Sequence, residues 1–118
     1  MDISTDHSET LDGNDAIVSE MQQNSERAAA FLKALAHEGR LLILCHLSMG
    51  EKSVTELEVL LCQRQAAVSQ QLARLRMEGL VRSRREGKAI FYSISDQRAA
   101  RTIALLYEMF CAEGSGKG

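Results

Sequence analysis

A mainly α-helical domain with one small β-hairpin is the fold class that this 118-residue sequence predicts. Three observations carry it. Apolar residues recur at helical spacing through most of residues 15–78, then the period falls to about two over residues 80–94, where a glycine interrupts the run. No proline occurs anywhere, so no helix is broken by a missing amide.

Each element has its own signal. Residues 1–14 are polar with scattered small residues and predict a disordered acidic leader. Ile17, Met21, Ala28, Phe31, Leu32 and Leu35 then mark one face of a first helix over 15–36. His37, Glu38 and Gly39 predict a break or bend. Leu41, Leu42, Cys45 and Leu47 continue as a strongly apolar second helix that stops at Gly50. Ser53-Val54-Thr55-Glu56 matches a capping box, in which hydroxyl and carboxylate satisfy each other's free amides, and predicts a helix over 54–61. After a turn at 62–64, a fourth helix over 65–78 has Val68, Leu72 and Leu75 facing inward, with Gly79 at its end. Residues 80–84 and 88–94 read as two strands around an Arg85-Glu86-Gly87 turn. Ser95 or Asp96 can cap a last helix carrying Ile103, Leu106, Met109 and Phe110. The order is α-α-α-α-β-β-α, a domain over 15–113 followed by a flexible tail over 114–118.

Composition excludes several classes. Hydrophobic residues make up 45% and charged residues 25%, an ordinary globular balance. No apolar run exceeds five residues, far short of the roughly 18 that a membrane span needs, so no membrane partner is expected. The acidic N-terminal stretch has no basic or apolar region of a signal peptide, which predicts a cytoplasmic protein. Three cysteines, an odd number, argue against a secreted disulfide scaffold. A domain this small buries only about two thirds of its unfolded surface, so dimerisation is a reasonable expectation.

The net charge of −2 hides an asymmetry. Residues 1–26 hold seven acids and no Lys or Arg, whereas residues 64–88 hold seven basic residues against Glu78 and Glu86. A local basic cluster in a near-neutral chain is the footprint of a polyanion partner, although a solvated charged face is the blander reading. Element order decides between them. A helix, a short turn, a second helix and a basic hairpin form a winged helix-turn-helix. Its second helix needs one apolar face for docking and one face of small hydrogen-bonding residues for the major groove of double-stranded operator DNA. Gln65, Ala66, Ser69, Gln70, Gln71 and Arg74 are that face's candidates. Gln can pair with adenine edges, Ala or Ser can approach a thymine methyl, and Arg74 can reach phosphate or guanine. Arg84, Arg85 and Lys88 at the hairpin are candidates for backbone neutralisation or minor-groove contact.

These residues carry a resemblance. The chain is similar to the ArsR/SmtB family of bacterial repressors in Ala34-Leu35-Ala36-His37-Glu38-Gly39-Arg40-Leu41-Leu42, in Val54-Thr55-Glu56-Leu57, in Ala66-Ala67-Val68-Ser69-Gln70-Gln71-Leu72, and in the hairpin Arg85-Glu86-Gly87-Lys88-Ala89-Ile90-Phe91-Tyr92. The resemblance runs from about residue 28 to residue 111. It implies a homodimer through the first and last helices that binds operator DNA and releases it when an effector is sensed. Two departures narrow the effector. Many metal-sensing relatives carry two cysteines where this chain reads Glu56-Leu57-Glu58-Val59-Leu60. Zinc-sensing relatives use Asp and His on the last helix; Asp96 survives here, but Arg98, Met109 and Ala112 stand at the other positions, and Arg cannot ligate zinc. No metal and no cofactor is therefore expected.

Cys45 and Cys111 remain. Read alone, they are small buried apolar residues, a common fate for free cysteine. The resemblance extends to the family's subgroup that senses sulfide-derived persulfides, and it implies that Cys45 and Cys111 become joined by a disulfide or polysulfide bridge, with a persulfide or polysulfide as effector. No such role carries over to Cys62 in the turn, and Arg64 stands where relatives commonly have a capping Ser. Other readings are a thiolate-based metal(loid) sensor of the same family, an effector-free DNA binder, and a small thiol enzyme. The last lacks a Cys-x-x-Cys pair and any cofactor fingerprint, so the sequence predicts no enzyme.

Overall fold

The computed structural model of the protein describes residues 13–112. The described residues up to Lys33 and those from Ala34 to residue 112 belong to two compact units. In the first, the described residues belong to one helix, α1 (Gly13–Leu35), whose final residues Ala34 and Leu35 are buried members of the second unit. This helix begins two residues before the predicted start, because Gly13 and Asn14 carry no apolar signal. Ile17, Val18, Met21 and Leu32 along it are exposed. Of the predicted leader over 1–14, Gly13 and Asn14 are helical, while residues 1–12 and the predicted tail over 114–118 lie outside the described residues.

The second unit contains α2 (Glu38–Leu47), β1 (Lys52–Ser53), α3 (Val54–Leu61), α4 (Gln65–Met77), β2 (Val81–Glu86), β3 (Ala89–Ile94), α5 (Gln97–Tyr107) and a π-helical turn (Glu108–Ala112). Ile43, Leu44, Leu57, Val68, Leu72, Leu75 and Leu80 are fully buried and make its core. Burying side chains of this kind stabilises the fold by roughly 1.5–3 kcal/mol each.

The predicted break at residues 37–39 is a cap. His37 has extended backbone and its Nδ1 accepts the Gly39 amide at 3.1 Å, so α2 starts immediately after it. Gly39 lies inside α2, where a Cβ would meet the His37 ring at 3.3 Å and the Gln71 side-chain nitrogen at 3.4 Å. The capping box forms as the sequence indicates: Ser53 Oγ accepts the Glu56 amide at 3.0 Å, and Glu56 Oε1 accepts the Ser53 amide at 2.7 Å.

The sheet has three antiparallel strands in the order β1-β3-β2, one more than the hairpin predicted. Lys52 pairs with Tyr92 and Ser53 with Phe91. Two residues are too short to show alternation, and Ser53 doubles as the cap of α3. The hairpin turn is also tighter than predicted. Arg85 pairs with Ile90 and Glu86 with Ala89, leaving Gly87 and Lys88 as the connection. Gly87 adopts φ 66°, the positive value that such short hairpin turns require. At the other end Ser95 Oγ donates to the Gly79 carbonyl and the Ser95 amide to the Leu80 carbonyl, so Asp96 is left to cap α5.

Candidate nucleic-acid interface and thiol pair

The turn between α3 and α4 sets the attitude of the second helix. Cys62 closes α3 in the left-handed region at φ 55°, the described residue other than glycine that does so. Arg64 begins α4 without a side-chain hydrogen bond to the first-turn amides. Val68, Leu72 and Leu75 are buried, as predicted, and Gln65, Ala66, Gln70 and Arg74 are exposed. Ser69 and Gln71 are half-buried. Gln71 differs from its neighbours, since its Oε1 accepts from Arg40 Nε at 3.3 Å, while Arg40 Nη1 donates to the Ala34 carbonyl at 2.9 Å. Arg40 therefore ties the end of α1 to α4. This role is not legible in residue order, because the contact joins positions 31 apart.

On the hairpin, Arg85 and Lys88 are exposed at the distal end, whereas Arg84 is engaged within the protein. Its Nε and Nη2 donate to the two Glu51 carboxylate oxygens at 2.8 and 2.9 Å, and its Nη1 donates to Glu86 at 2.8 Å. The guanidinium also lies 4.8 Å from the centre of the Phe91 ring. The Arg84 hydrogen bond holds the Glu51 carboxyl below its ordinary pKa. Glu51, like Arg40, carries no local signal in the sequence, since its partner lies 33 positions away.

Cys45 is half-buried on α2, and Cys111 is exposed in the π-helical turn after α5. Burial pushes the Cys45 thiol up, and negative charge on Cys111 acts in the same direction. Cys45 also lines an open cleft of about 600 Å³ together with Ile103, Ala104 and Tyr107 of α5. Cys111 follows Tyr107 by one turn. Cys62 is exposed, in a different part of the unit, at the end of α3.

Asp96 has a structural occupation. Its carboxylate accepts the Arg98 amide at 2.8 Å and the Arg98 guanidinium at 2.7 and 3.1 Å, contacts that hold its pKa down. Among the described residues, no group of three or more His, Cys, Asp or Glu could hold a metal ion. No described helix is long and apolar enough to cross a membrane.

A helix-turn-helix with small polar residues on its outer face, followed by a basic antiparallel wing, defines a winged-helix DNA-binding regulator. Residues 37–83 match the family model described as bacterial regulatory protein, arsR family. The chain is 49% identical over 92 residues to the biofilm growth-associated repressor of Agrobacterium fabrum, covering 78% of this chain and 79% of that protein. It is 44% identical to the transcriptional activator HlyU of Vibrio cholerae, over 86% of this chain and 94% of that one. The crystal structure of the repressor BigR from Xylella fastidiosa superposes with a TM-score of 0.76 at 41% identity, covering 80% of this chain and 96% of that chain. The chain belongs to the ArsR family of bacterial transcriptional regulators. Regulators of this family bind DNA and often act as dimers.

Proposed function

We propose that the protein is a homodimeric repressor that holds operator DNA while Cys45 and Cys111 are reduced and releases it when they become bridged. The observation that carries this reading is the cleft that Cys45 of α2 shares with Ile103, Ala104 and Tyr107 of α5, the last of them one turn before Cys111. A persulfide R–S–SH supplies the oxidising sulfur. The Cys45 thiolate attacks the outer sulfur, an S–S bond forms on Sγ, and the donor's own S–S bond breaks as R–S⁻ departs and takes a proton. The Cys111 thiolate then attacks Cys45 Sγ and expels hydrosulfide. Two protein thiols are oxidised to a disulfide, and the persulfide is reduced to a thiol and hydrogen sulfide. When both cysteines have first taken a sulfur, the same displacement leaves a three-sulfur bridge.

The DNA-binding half of the reading rests on the exposed α4 face and the wing. Gln65, Ala66, Ser69, Gln70 and Arg74 would meet base edges or nearby phosphate, Arg85 and Lys88 would meet phosphate, and Gln71 and Arg84 would hold their neighbours in place. The first-turn amides of α4, which have no side-chain cap, offer donors that a phosphate oxygen would satisfy. The exposed apolar residues of α1 and of the Leu105, Met109 and Phe110 region are the surfaces on which dimerisation is proposed. Intact-mass analysis with gel retardation tests the whole. Polysulfide treatment should consume both thiols, add whole sulfur atoms or remove two hydrogens, and abolish the retarded band. DNA release with Cys45 and Cys111 still free overturns the reading.

A further inference from the structure

The cleft beside Cys45 has a chemical character that the thiols alone do not explain. Its volume of about 600 Å³ falls within the roughly 300–1,000 Å³ of small-molecule pockets. Leu47, Ile94, Ile103 and Ala104 line it around the Cys45 thiol, and no Lys, Arg or His stands on its wall. Its one charged lining residue, Glu51, is an acid whose carboxylate is already occupied by Arg84. A carboxylate seated against this wall would lose hydration without gaining a counter-charge, which is costly, whereas an alkyl or aryl group there would bury apolar surface. We infer that this cleft binds the uncharged apolar group of an alkyl or aryl persulfide and holds its outer sulfur against Cys45.

This inference rests on the reading of Cys45 and Cys111 as the sensing pair, and it names the effector class that the pair prefers. It also gives the half-buried thiol a way to react. A thiol kept largely protonated meets a diffusing donor slowly, and a donor seated beside it reacts at a much higher effective concentration. Once the sulfur has moved to Cys45 Sγ, the leaving thiol keeps its apolar group in the cleft until Cys111 closes the bridge.

The test uses the full chain in two arms. In the first, the Cys111→Ser variant, which strands the sulfur on Cys45, receives equal concentrations of n-butyl persulfide or glutathione persulfide. Mass spectrometry times the gain of one sulfur. The butyl donor should react at least tenfold faster, and Ala104→Phe, which fills the cleft, should cut that preference below threefold. Ala100→Phe blocks the same cleft from one turn earlier and replaces Ala104→Phe if the latter fails to bind operator DNA. Equal rates for the two donors, or a preference that survives both fillings, overturn the inference. In the second arm, the doubly substituted Cys45→Ala, Cys111→Ala protein is titrated with n-butyl methyl sulfide, which cannot transfer sulfur. Saturating NMR shifts at the Ile94 and Ile103 methyls, abolished by Ala104→Phe, support the cleft as an apolar site. Absence of shifts overturns it. Binding of this sulfide with no sulfur transfer from either persulfide leaves an apolar-ligand cleft standing and removes the sensing reading beneath it.

Discussion

The Arg84 guanidinium grips the Glu51 carboxylate through two hydrogen bonds of 2.8 and 2.9 Å, joining strand β2 of the wing to the segment that leaves α2. Glu51 lines the same cleft as Cys45, so the pair links the surroundings of the thiol to the base of the wing. We therefore propose Arg84 as a positioning residue and Arg85 and Lys88 as the phosphate-contacting cations of the wing. Removing one phosphate contact should lower the slope of log affinity against log salt by about 0.9. Arg85→Ala and Lys88→Ala should each do so for operator and random DNA alike. Arg84→Ala should change that slope less while loosening the wing, which hydrogen exchange at β2 and β3 amides would register. Equal slope changes at all three positions would contradict this division.

The same pair makes the wing acid-sensitive. The Glu51 pKa is depressed in the folded protein, chiefly by its hydrogen bond from Arg84. A carboxylate of this kind stabilises the fold above its unfolded-state pKa, and the contribution disappears as pH falls through the lower folded value. Glu51→Gln should therefore lower the urea midpoint at neutral pH, and the difference from wild type should shrink below about pH 4. A difference that stays constant from pH 7 to pH 3 would remove Glu51 as its source.

Cys62 stores backbone strain at the turn before α4. A residue with a Cβ pays about 1–2 kcal/mol in the left-handed region that Cys62 occupies at φ 55°, and glycine does not. Part of that gain is lost to the freer unfolded chain of a glycine variant. Cys62→Gly should raise stability by about 0.5–1 kcal/mol, read as a higher melting temperature, with operator binding intact. A lower melting temperature would show that the side chain contributes more than its strain costs.

Much of this architecture is legible in residue order because its signals are local. The capping box at Ser53 and Glu56, the buried triplet Val68, Leu72 and Leu75, and the change of period after Gly79 each act within a few positions. What escaped depends on partners far away in sequence. Strand β1 is defined by its pairing with Phe91 and Tyr92, and Arg84 loses its freedom to Glu51, 33 positions earlier. Gln71 likewise looks like any exposed polar residue of α4 until Arg40 reaches it. The thiols are intermediate: α2 and the end of α5 are readable as helices, but the cleft that Cys45 shares with α5 is a tertiary fact.

The face of α4 should separate sequence preference from general affinity. Ser69→Ala and Gln70→Ala should each reduce discrimination between operator and random DNA by about 1–3 kcal/mol per lost base contact. Gln71→Ala should act differently, since it releases Arg40 and perturbs helix packing as well as binding. Fluorescence anisotropy on operator and scrambled duplexes distinguishes these cases. Equal losses on both duplexes for Ser69→Ala and Gln70→Ala would sink the assignment of base-reading roles.

The two cysteines proposed as sensors should be separable from each other and from Cys62. Bridging Cys45 to Cys111 would tie α2 to the end of α5, next to the surface on which dimerisation is proposed. Two recognition helices must meet successive major grooves about 34 Å apart, so a small tilt between protomers costs several contacts. A loss of about 1.4 kcal/mol is already tenfold in affinity. Cys45→Ser and Cys111→Ser should each retain operator binding and ignore polysulfide, while Cys62→Ser responds like wild type. The pair also has a titration signature. Cys45 is raised first by burial and second by negative charge on Cys111, so Cys111→Ser removes only the second cause. The pH midpoint for alkylation of Cys45 by iodoacetamide should move down in that variant while staying above that of an exposed thiol. An unchanged midpoint, or a Cys111→Ser protein released from DNA as readily as wild type, would refute the pairing.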